Sequence, residues 1–600
     1  MYKRQVPELP QLEILNLKGT RITDAGLTHL GRAPALRDVN LDYTDITGSG
    51  FTHFKARAEL RSISANYTMV TDASLAELPG CPNLERLFLI GTPVTDAGLD
   101  QLHAVPALAS LGVSETDVTQ VGVDRFKAAR AKVVLGWYAP SAAPNPKPVA
   151  PPVAFDKLPP PDPKTLVQKY NGSLKTDEED PKKPVIALSL AGSAVTDEEV
   201  GHLRDLRTLQ VLDLSSCAKV TDSALPYLAG LTELRELRLK GTAIKGDGLG
   251  HLKGLTRLTV LELPSAQMTI GQLRPLASLK DLERLWITPL ADHHAYLRFM
   301  SGFPKLKEVN LKDIAPTPRR MALVGKMTGL ERLDLESDAV SDRGLSHLKG
   351  LTSLTELRLA TDLASDAGLQ HLAGLTGLKA LELRGGRFTD IGFRNLRPLT
   401  SLETLRVADT RLTDTWMLHF TEFGKLIDLN LKDADVSDNG LRYLAGLKEL
   451  ELIDLSDTLI TDKGLSHFKA LEELRTLKLE DSGVTGTGFI ALKRLPRLAR
   501  LRLSRSQLSD EGLAGIAQVE TLEQIELDAT SITDAGLAKL KALPSLKQLT
   551  LNQTTRLTDK VVDILKGFPA LTEVYIRESS LSSKAIADLK KKDGLTVYAE

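Results

Sequence analysis

The sequence has very few of the residues that would mark a disulfide-stapled, membrane-spanning or strongly charged protein. Only 2 of its 600 residues are cysteine, Cys81 and Cys217, so a disulfide framework is excluded. No apolar run approaches the roughly 18 residues of a membrane-spanning helix. The 76 basic and 77 acidic residues leave a net charge of −1, which argues against a dedicated nucleic-acid or anionic-membrane binder.

Catalytic motifs are missing as well. The sequence contains no G-x-S-x-G nucleophile elbow, no Walker phosphate loop and no H-E-x-x-H zinc motif in a supporting context. We therefore expect no enzymatic activity, no cofactor and no bound metal.

One unit of 24 residues is abundant instead, and residues 450–473, LELIDLSDTLITDKGLSHFKALEE, show it clearly. Its first half follows L-x-x-L-x-L, a pattern that predicts a strand with one buried face. Its second half has an apolar residue at every third position, as on a short helix. Thr461-Asp462 stands between them and is expected to cap the helix N-terminus.

A single strand-turn-helix unit buries too little apolar surface to fold alone, because ordering its backbone costs more than its core contributes. Successive copies must therefore stack. The repetition predicts an α/β solenoid with a parallel β-sheet on the concave face and short helices on the convex face.

The repeats fall into two blocks. Residues 1–138 hold five repeats and a closing strand, and residues 185–600 hold seventeen repeats and a closing strand. Residues 164–184 are expected to form an N-terminal cap hairpin for the second block. The first block opens on L-x-x-L-x-L without a cap or a signal-peptide core, so we expect the chain to begin inside a longer array, and the cytoplasm is favoured.

Residues 139–163 connect the blocks, and 10 of these 25 residues are proline. Proline fixes φ and removes backbone donors, so the segment is expected to be an extended polyproline-like spacer. With such a spacer the two blocks need not touch. A ligand for SH3-type domains is the alternative interpretation of the same segment.

The repeats, such as LNLKGTRITDAGLTHL at Leu15 and IELDATSITDAGLAKL at Ile525, resemble the leucine-rich-repeat family, L-x-x-L-x-L-x-x-N/C-x-L. The resemblance is to the cysteine-containing subfamily, known from F-box substrate receptors of ubiquitin ligases and from large bacterial proteins. Cys217 fills the family's cysteine position, and threonine fills it in Thr20, Thr92, Thr242, Thr410, Thr458 and Thr530. A hydroxyl there is expected to bond turn backbone.

The resemblance implies a horseshoe-shaped protein-binding scaffold without catalysis. The alternative that it implies is a substrate-recognition subunit of a ubiquitin-ligase-like complex, although no F-box-like helical module precedes the repeats in this sequence.

Two polar columns run through the repeats. Aspartates such as Asp24, Asp96 and Asp462 stand at helix starts, where we expect them to accept unpaired backbone N–H groups rather than to bind calcium. Histidines recur at one helix position, which indicates repeat consensus rather than a zinc site, because a zinc site needs converging ligands. That column holds His29, His53, His202, His251, His347, His371, His419 and His467.

The residue between the last two leucines of each strand faces the concave side, and opposite charges often fall on adjacent strands, where they are expected to pair. Trp286 breaks this column. An exposed tryptophan beside Arg284, with Arg238 and Glu262 on preceding strands, has the composition of a protein-binding hot spot.

Residues 264–326 depart most from the repeat pattern. They contain His293-His294 and Arg319-Arg320, and irregular loops in rigid arrays often carry function, although repeats also decay. We predict that an unidentified protein partner binds at Trp286, Arg284, Arg238 and Glu262, together with His293, His294, Arg319 and Arg320.

Overall fold

The computed structural model describes residues 10–20, 22–137, 149–150, 163–290, 292–311, 314–337 and 340–599. The chain divides into two compact units, Met1–Leu354 and Thr355–Glu600. The predicted spacer at 139–163 lies outside the described residues except for 149, 150 and 163, as do residues 1–9 at the expected uncapped start. Within the described ranges, no helix is long and apolar enough to cross a membrane.

The first unit contains two six-stranded sheets and one further strand. In the first sheet, β1–β6, every neighbouring pair is parallel. The second sheet opens with an antiparallel pair, β7 and β8, and continues in parallel to β12. The thirteen strands are β1 Ile14–Asn16, β2 Asp38–Asn40, β3 Ser62–Ser64, β4 Arg86–Phe88, β5 Ser110–Gly112, β6 Val134–Gly136, β7 Ser173–Thr176, β8 Val185–Ser189, β9 Val211–Asp213, β10 Glu236–Arg238, β11 Val260–Glu262, β12 Arg284–Trp286 and β13 Arg332–Glu336.

In the second unit, each strand from β14 to β24 pairs in parallel with the next strand in the chain. These eleven strands are β14 Glu356–Ser365, β15 Ala380–Arg387, β16 Thr404–Ala408, β17 Asp428–Asn430, β18 Leu452–Asp454, β19 Thr476–Lys478, β20 Arg500–Arg502, β21 Gln524–Glu526, β22 Gln548–Thr550, β23 Glu573–Tyr575 and β24 Thr596–Tyr598.

Short helices follow the strands. In the first unit the α-helices are α1 Asp24–Leu27, α2 Asp72–Leu75, α3 Asp96–Leu102, α4 Gln120–Ala129, α5 Pro163–Tyr170, α6 Asp197–Val200, α7 Leu225–Leu228, α8 Ile270–Leu273, α9 His293–Met300, α10 Pro318–Val324 and α11 Asp342–Ser346. In the second unit they are α12 Asp366–Leu369, α13 Asp390–Phe393, α14 Asp414–Met417, α15 Asp438–Leu441, α16 Asp510–Ile516, α17 Asp534–Lys539, α18 Val561–Lys566 and α19 Ser583–Leu589.

Many repeats use a tighter 3₁₀ turn in place of an α-helix or after one. These turns are Thr28–Arg32, Ser49–Phe54, Leu78–Gly80, Gly201–Leu203, Asp222–Ala224, Leu249–Gly254, Arg274–Ser278, His347–Gly350, Gln370–Leu372, Arg394–Leu396, Leu418–Glu422, Arg442–Leu444, Gly464–Phe468, Thr487–Leu492 and Leu540–Ala542. A 24-residue repeat leaves room for only one or two helical turns, and 3₁₀ geometry suits such short pieces.

The repeat leucines build the core, as the sequence predicts. In the unit at 450–473, the side chains of Leu450, Ile453, Leu455, Ile460, Leu465, Phe468 and Leu471 are all fully buried. The predicted α/β leucine-rich-repeat solenoid is therefore confirmed in the packing of each unit: parallel strands carry one buried face, and the helices that follow them close the core.

The threonines at the family's cysteine position bond turn backbone, as expected. Thr92 Oγ1 donates to Leu89 O at 2.6 Å, and Thr458 Oγ1 donates to Leu455 O at 2.6 Å. Cys217 differs, because its Sγ lies 3.0 Å from Leu190 O of the preceding repeat. A small donor at this position thus ties the turn either to its own strand or to its neighbour.

The aspartate column acts between repeats, which the sequence did not indicate. The N-cap of α15 is Ser437, and Asp438 is the first helical residue. The Asp438 carboxylate accepts from Thr461 N at 2.8 Å and from Thr461 Oγ1 at 2.6 Å, in the next repeat. A Cβ on Gly464 would lie 2.5 Å from Asp438 Oδ1, so this glycine makes room for the carboxylate.

One expected strand is not formed. The repeat that opens at Leu306 has irregular backbone at 307–311, and the second sheet ends at β12. Lys307 N still donates to Glu283 O at 2.8 Å, and Glu331 N donates to Lys307 O at 2.8 Å. The seventeen expected repeats of the second block therefore include one whose strand is only partly paired.

Candidate functional site

The concave column carries the predicted cross-strand ion pairs. Arg238 Nε lies 3.8 Å from Glu262 Oε1 on the adjacent strand, and Lys478 Nζ lies 3.3 Å from Asp454 Oδ2. Such pairs contribute little to stability where they are solvated. Their main effect is to neutralise charge along the column.

Trp286 stands at the end of the second sheet. Its strand, β12, is one of the two edge strands of that sheet, and Trp286 is the register neighbour of Glu262 on β11. The side chain is 38% exposed, and Arg284 on the same strand is exposed too. Among the described residues, no carboxylate lies within ion-pair distance of Arg284, which leaves its guanidinium for a ligand.

Four of the predicted site residues therefore share one concave patch. Arg238 also pairs with a second carboxylate, because its Nη2 lies 2.8 Å from Glu236 Oε2 on the same strand. Trp286 and Arg284 are exposed, and among the described residues Arg284 has no acidic partner. We call Arg238, Glu262, Arg284 and Trp286 the tryptophan patch.

The other predicted site residues lie elsewhere and contact the first block. Arg319 and Arg320 lie in the first turn of α10, and their side chains are only 7% and 5% exposed. Arg319 Nη2 lies 2.7 Å from Asp117 Oδ2, and Arg320 forms an ion pair with Glu115. These two arginines therefore form ion pairs with acidic residues of the first block, not with an external partner.

The histidines lie beside the same contact. His294 Nε2 is 3.9 Å from Asp117 Oδ1, and its side chain is mostly buried. Burial, together with the nearby Arg319, lowers the pKa of His294 to about 3, although Asp117 opposes the shift. The imidazole is therefore neutral at physiological pH. His293 is the first residue of α9.

An aromatic stack completes this contact. The Tyr43 and Tyr67 rings stack at 4.8 Å between centroids, and the Arg320 guanidinium lies 5.3 Å from the Tyr67 centroid. Tyr67 Oη donates to Glu115 Oε1 at 3.3 Å. Burial raises the pKa of Tyr67 to about 12, with Glu115 adding to the effect. We call Tyr43, Tyr67, Glu115, Asp117, His294, Arg319 and Arg320 the clasp.

The clasp corrects the expectation that the two blocks need not touch. Ser341 Oγ, further along the second block, also lies 3.0 Å from Asp45 Oδ1. Sequence reasoning overlooked Tyr43, Tyr67 and Glu115, which all occupy one turn position with positive φ. Glycine fills that position in Gly19 and Gly91, so two tyrosines there were the available signal.

Reactive groups in the described structure are few. Within the described ranges, no three histidine, cysteine or acidic side chains converge as a metal site. Both cysteines are unpaired and buried. Burial raises the pKa of the Cys81 thiol to about 11, which leaves it protonated and a poor nucleophile.

The comparisons with known proteins agree with the fold. A family model described as Leucine Rich repeat matches residues 205–229. No curated protein matches the chain. Among solved structures, an internalin from Listeria monocytogenes is similar at 18% identity over 68% of this chain and 98% of that chain, with a TM-score of 0.36.

Two further structures show the range of the similarity. A leucine-rich-repeat protein of Leptospira interrogans is 20% identical over 67% of this chain and 92% of that chain, with a TM-score of 0.43. The plant peptide hormone receptor RGFR1, solved in complex with RGF2, is 15% identical over 99% of this chain and 80% of that chain, with a TM-score of 0.37. All three TM-scores lie below 0.5.

The parallel strands, the buried leucines and the matching repeat define a leucine-rich-repeat fold. Proteins of this class generally serve as protein-interaction scaffolds, because stacked repeats present long continuous surfaces.

Proposed function

We propose that this protein is a non-enzymatic scaffold that binds a protein partner on the concave strands of its first unit, at the tryptophan patch. The observation that carries the proposal is Trp286, a large aromatic side chain left 38% exposed in a column whose other members are mostly polar.

The composition of the patch supports this assignment. Tryptophan and arginine are the side chains most enriched at binding hot spots, since they combine apolar area with directional donors. Trp286 and Arg284 project from one face of β12, two residues apart. The paired charges of Arg238 and Glu262 border them, as a polar rim surrounds a hot spot.

A binding comparison tests the proposal. The chain and an Arg284→Glu/Trp286→Ala variant are used as bait in lysate of the source organism, and the retained proteins are identified by mass spectrometry. The matched control is Arg274→Glu/Lys253→Ala, which changes exposed side chains on the helical side of neighbouring repeats. Circular dichroism establishes that all three proteins are folded.

We expect a partner that is retained by the chain and by the control but lost by the patch variant. Its purified form is then expected to bind the chain directly, with an affinity loss of tenfold or more in the patch variant, about 1.4 kcal/mol. A partner that both variants retain equally would contradict the proposal. Recovery of ubiquitin-ligase components would favour the substrate-receptor role that the resemblance implies.

A further inference from the structure

The concave strands of the second unit contain a depression of about 200 Å³. It spans β18 to β21 and is lined by Leu452, Thr476, Lys478, Arg500, Leu501, Arg502, Gln524 and Glu526. Three of these eight residues are cationic and one is anionic, in a chain whose overall charge is nearly balanced. The lining of the depression therefore carries a local excess of positive charge.

The three cations are close neighbours. Lys478 on β19 is the register partner of Arg502 on β20, and Thr476 is the register partner of Arg500. Adjacent strands lie about 4.8 Å apart, and residues two apart on one strand lie about 6.6 Å apart. Lys478, Arg500 and Arg502 therefore occupy three corners of a compact rectangle whose fourth corner is the small side chain of Thr476.

Existing contacts orient the cations without using all of their donors. Arg500 Nε donates to Gln524 Oε1 at 3.0 Å, and Arg502 Nε lies 3.1 Å from Glu526 Oε1. Among the described residues, neither guanidinium has a further hydrogen bond to a side chain. A guanidinium has five N–H donors, so the terminal nitrogens of both arginines remain for a ligand.

The carboxylate that pairs with Lys478 is largely buried. Asp454 is 5% exposed, and its Oδ2 lies 3.3 Å from Lys478 Nζ. This contact fixes the ammonium at the edge of the depression. The pKa of the half-buried Glu526 is raised, because burial and the nearby Glu480 outweigh the opposing effect of Arg502.

We propose that this depression binds a glutamate-bearing segment of a protein partner, with the glutamate carboxylate held by Arg500 and Arg502 and with Lys478 adding its charge. Arginine recognises a planar carboxylate through two parallel N–H···O bonds, which supplies direction as well as attraction. Leu452, half-buried on the floor, covers the glutamate methylenes.

An extended segment fits the site better than a helix. The floor is a row of parallel strands whose side chains rise at regular spacing, and an extended peptide presents alternate side chains to such a surface at about 6.6–7 Å intervals. The ligand is therefore an acidic peptide in extended conformation. This surface belongs to the second unit, so the proposal stands independently of the tryptophan patch.

Fluorescence anisotropy with a labelled decapeptide of alternating Glu and Thr tests the site. Three full-length proteins are compared: the chain, Arg500→Glu/Arg502→Glu, and Lys493→Glu/Arg494→Glu. The last variant makes an equal change in net charge at two exposed residues that follow the 3₁₀ turn Thr487–Leu492. An otherwise identical peptide with Gln for Glu separates charge from backbone binding.

We expect the chain and the Lys493/Arg494 variant to bind the Glu peptide equally, and the Arg500/Arg502 variant to bind it tenfold more weakly or worse. The Gln peptide is expected to bind weakly to all three. Equal binding of the two peptides, unchanged binding by the Arg500/Arg502 variant, or no binding of the Glu peptide to the chain would each overturn the proposal. Arg500→Gln/Arg502→Gln replaces the charge-reversed variant if circular dichroism shows that the latter is misfolded.

Discussion

At the scale of single residues, the recurring T-D-x-G-L motif joins a repeat that carries it to the neighbouring repeat. Thr461 caps its own turn and also donates to Asp438 of the preceding repeat, while Gly464 leaves space for that carboxylate. The same geometry recurs at Asp414 with Ser437 and at Asp510 with Thr533. The motif is therefore one part of a ladder that runs between neighbouring repeats.

Gly464→Ala tests this ladder. The added methyl group would lie 2.5 Å from Asp438 Oδ1, so the carboxylate must move and its bonds to Thr461 must lengthen. We expect a local destabilisation of about 1–3 kcal/mol, typical of overpacking. Hydrogen exchange at the Thr461 amide measures it directly, and we expect exchange to become about 10-fold to 100-fold faster.

Gly446→Ala is the matched control, because a Cβ at that glycine meets nothing within 4 Å. Its exchange rates are expected to stay within a few-fold of those of the unmodified chain. Equal protection of Thr461 in the Gly464 variant would show that the carboxylate does not depend on this space.

The sequence predicted part of this residue-scale picture. The hydroxyl bonds of Thr92 and Thr458 follow from local spacing, because donor and acceptor lie three residues apart. The bonds of Asp438 join residues 23 positions apart, and no rule about one helix start predicts them. Only the register of stacked repeats brings such groups together.

At the scale of structural elements, the second block begins with a docked helix and a hairpin. Helix α5 meets α6 through Glu199, whose Oε1 lies 2.5 Å from Lys169 Nζ and whose Oε2 accepts from Tyr170 Oη at 2.7 Å. Glu199 also completes a capping box with Thr196. One carboxylate thus serves both the cap helix and the first repeat.

We expect this junction to loosen in acid. Burial acts to raise the pKa of Glu199, but the bonds from Lys169, Tyr170 and Thr196 outweigh it and lower the pKa from 4.5 to about 2. Because the folded-state pKa is depressed, the stabilisation is fully present above about pH 4.5 and is lost as the pH falls through about 2.

Hydrogen exchange of the peptide covering 163–170 checks this expectation, after correction for the intrinsic pH dependence of exchange. Protection in the unmodified chain should fall between pH 4.5 and 2, while Glu199→Gln should already show reduced protection at pH 7. A Glu199→Gln profile that matches the unmodified chain at every pH would show that the carboxylate does not hold the cap helix.

Element boundaries illustrate where periodicity fails. The leucine spacing predicts a strand in every repeat, yet residues 307–311 remain irregular. Tyr296 is fully buried there, and its hydroxyl donates to Asn310 O at 3.1 Å, so the backbone serves a side chain of the preceding repeat. A strand pattern records which residues are apolar and gives no information about such a competing bond.

At the scale of the whole chain, the clasp makes the first block part of the same compact unit as the start of the second block. Its buried arginines face Glu115 and Asp117, which stand in the turn of one repeat. The proline-rich segment predicts a division of the chain into two blocks. Its proline content gives no information about contacts between residues that lie about 200 positions apart in the sequence.

Arg320→Glu is expected to open the clasp. Removing one member of a buried ion pair leaves the other charge uncompensated and costs on the order of 3 kcal/mol or more. Hydrogen exchange of peptides covering 114–118 and 314–324 should therefore accelerate together. Adding Glu115→Arg to the same chain should restore part of the protection, since it rebuilds the pair with reversed sign.

Arg298→Glu provides the control for charge alone. Arg298 lies 3.9 Å from Asp117, the ion-pair partner of Arg319 in the clasp, but the Arg298 side chain is 74% exposed, so little change is expected. If Arg298→Glu and Arg320→Glu accelerate exchange equally, general electrostatics rather than the buried pair maintains the contact.

The central claim of this account is that the concave strands of the first unit bind a protein at Trp286. Replacing Trp286 with the photo-crosslinking residue benzoylphenylalanine, and Lys253 on the helical side as the control, tests it in source-organism lysate. The account predicts a discrete crosslinked protein from position 286 and none of that protein from position 253. The same protein crosslinked equally from both positions, or from position 253 alone, would contradict it.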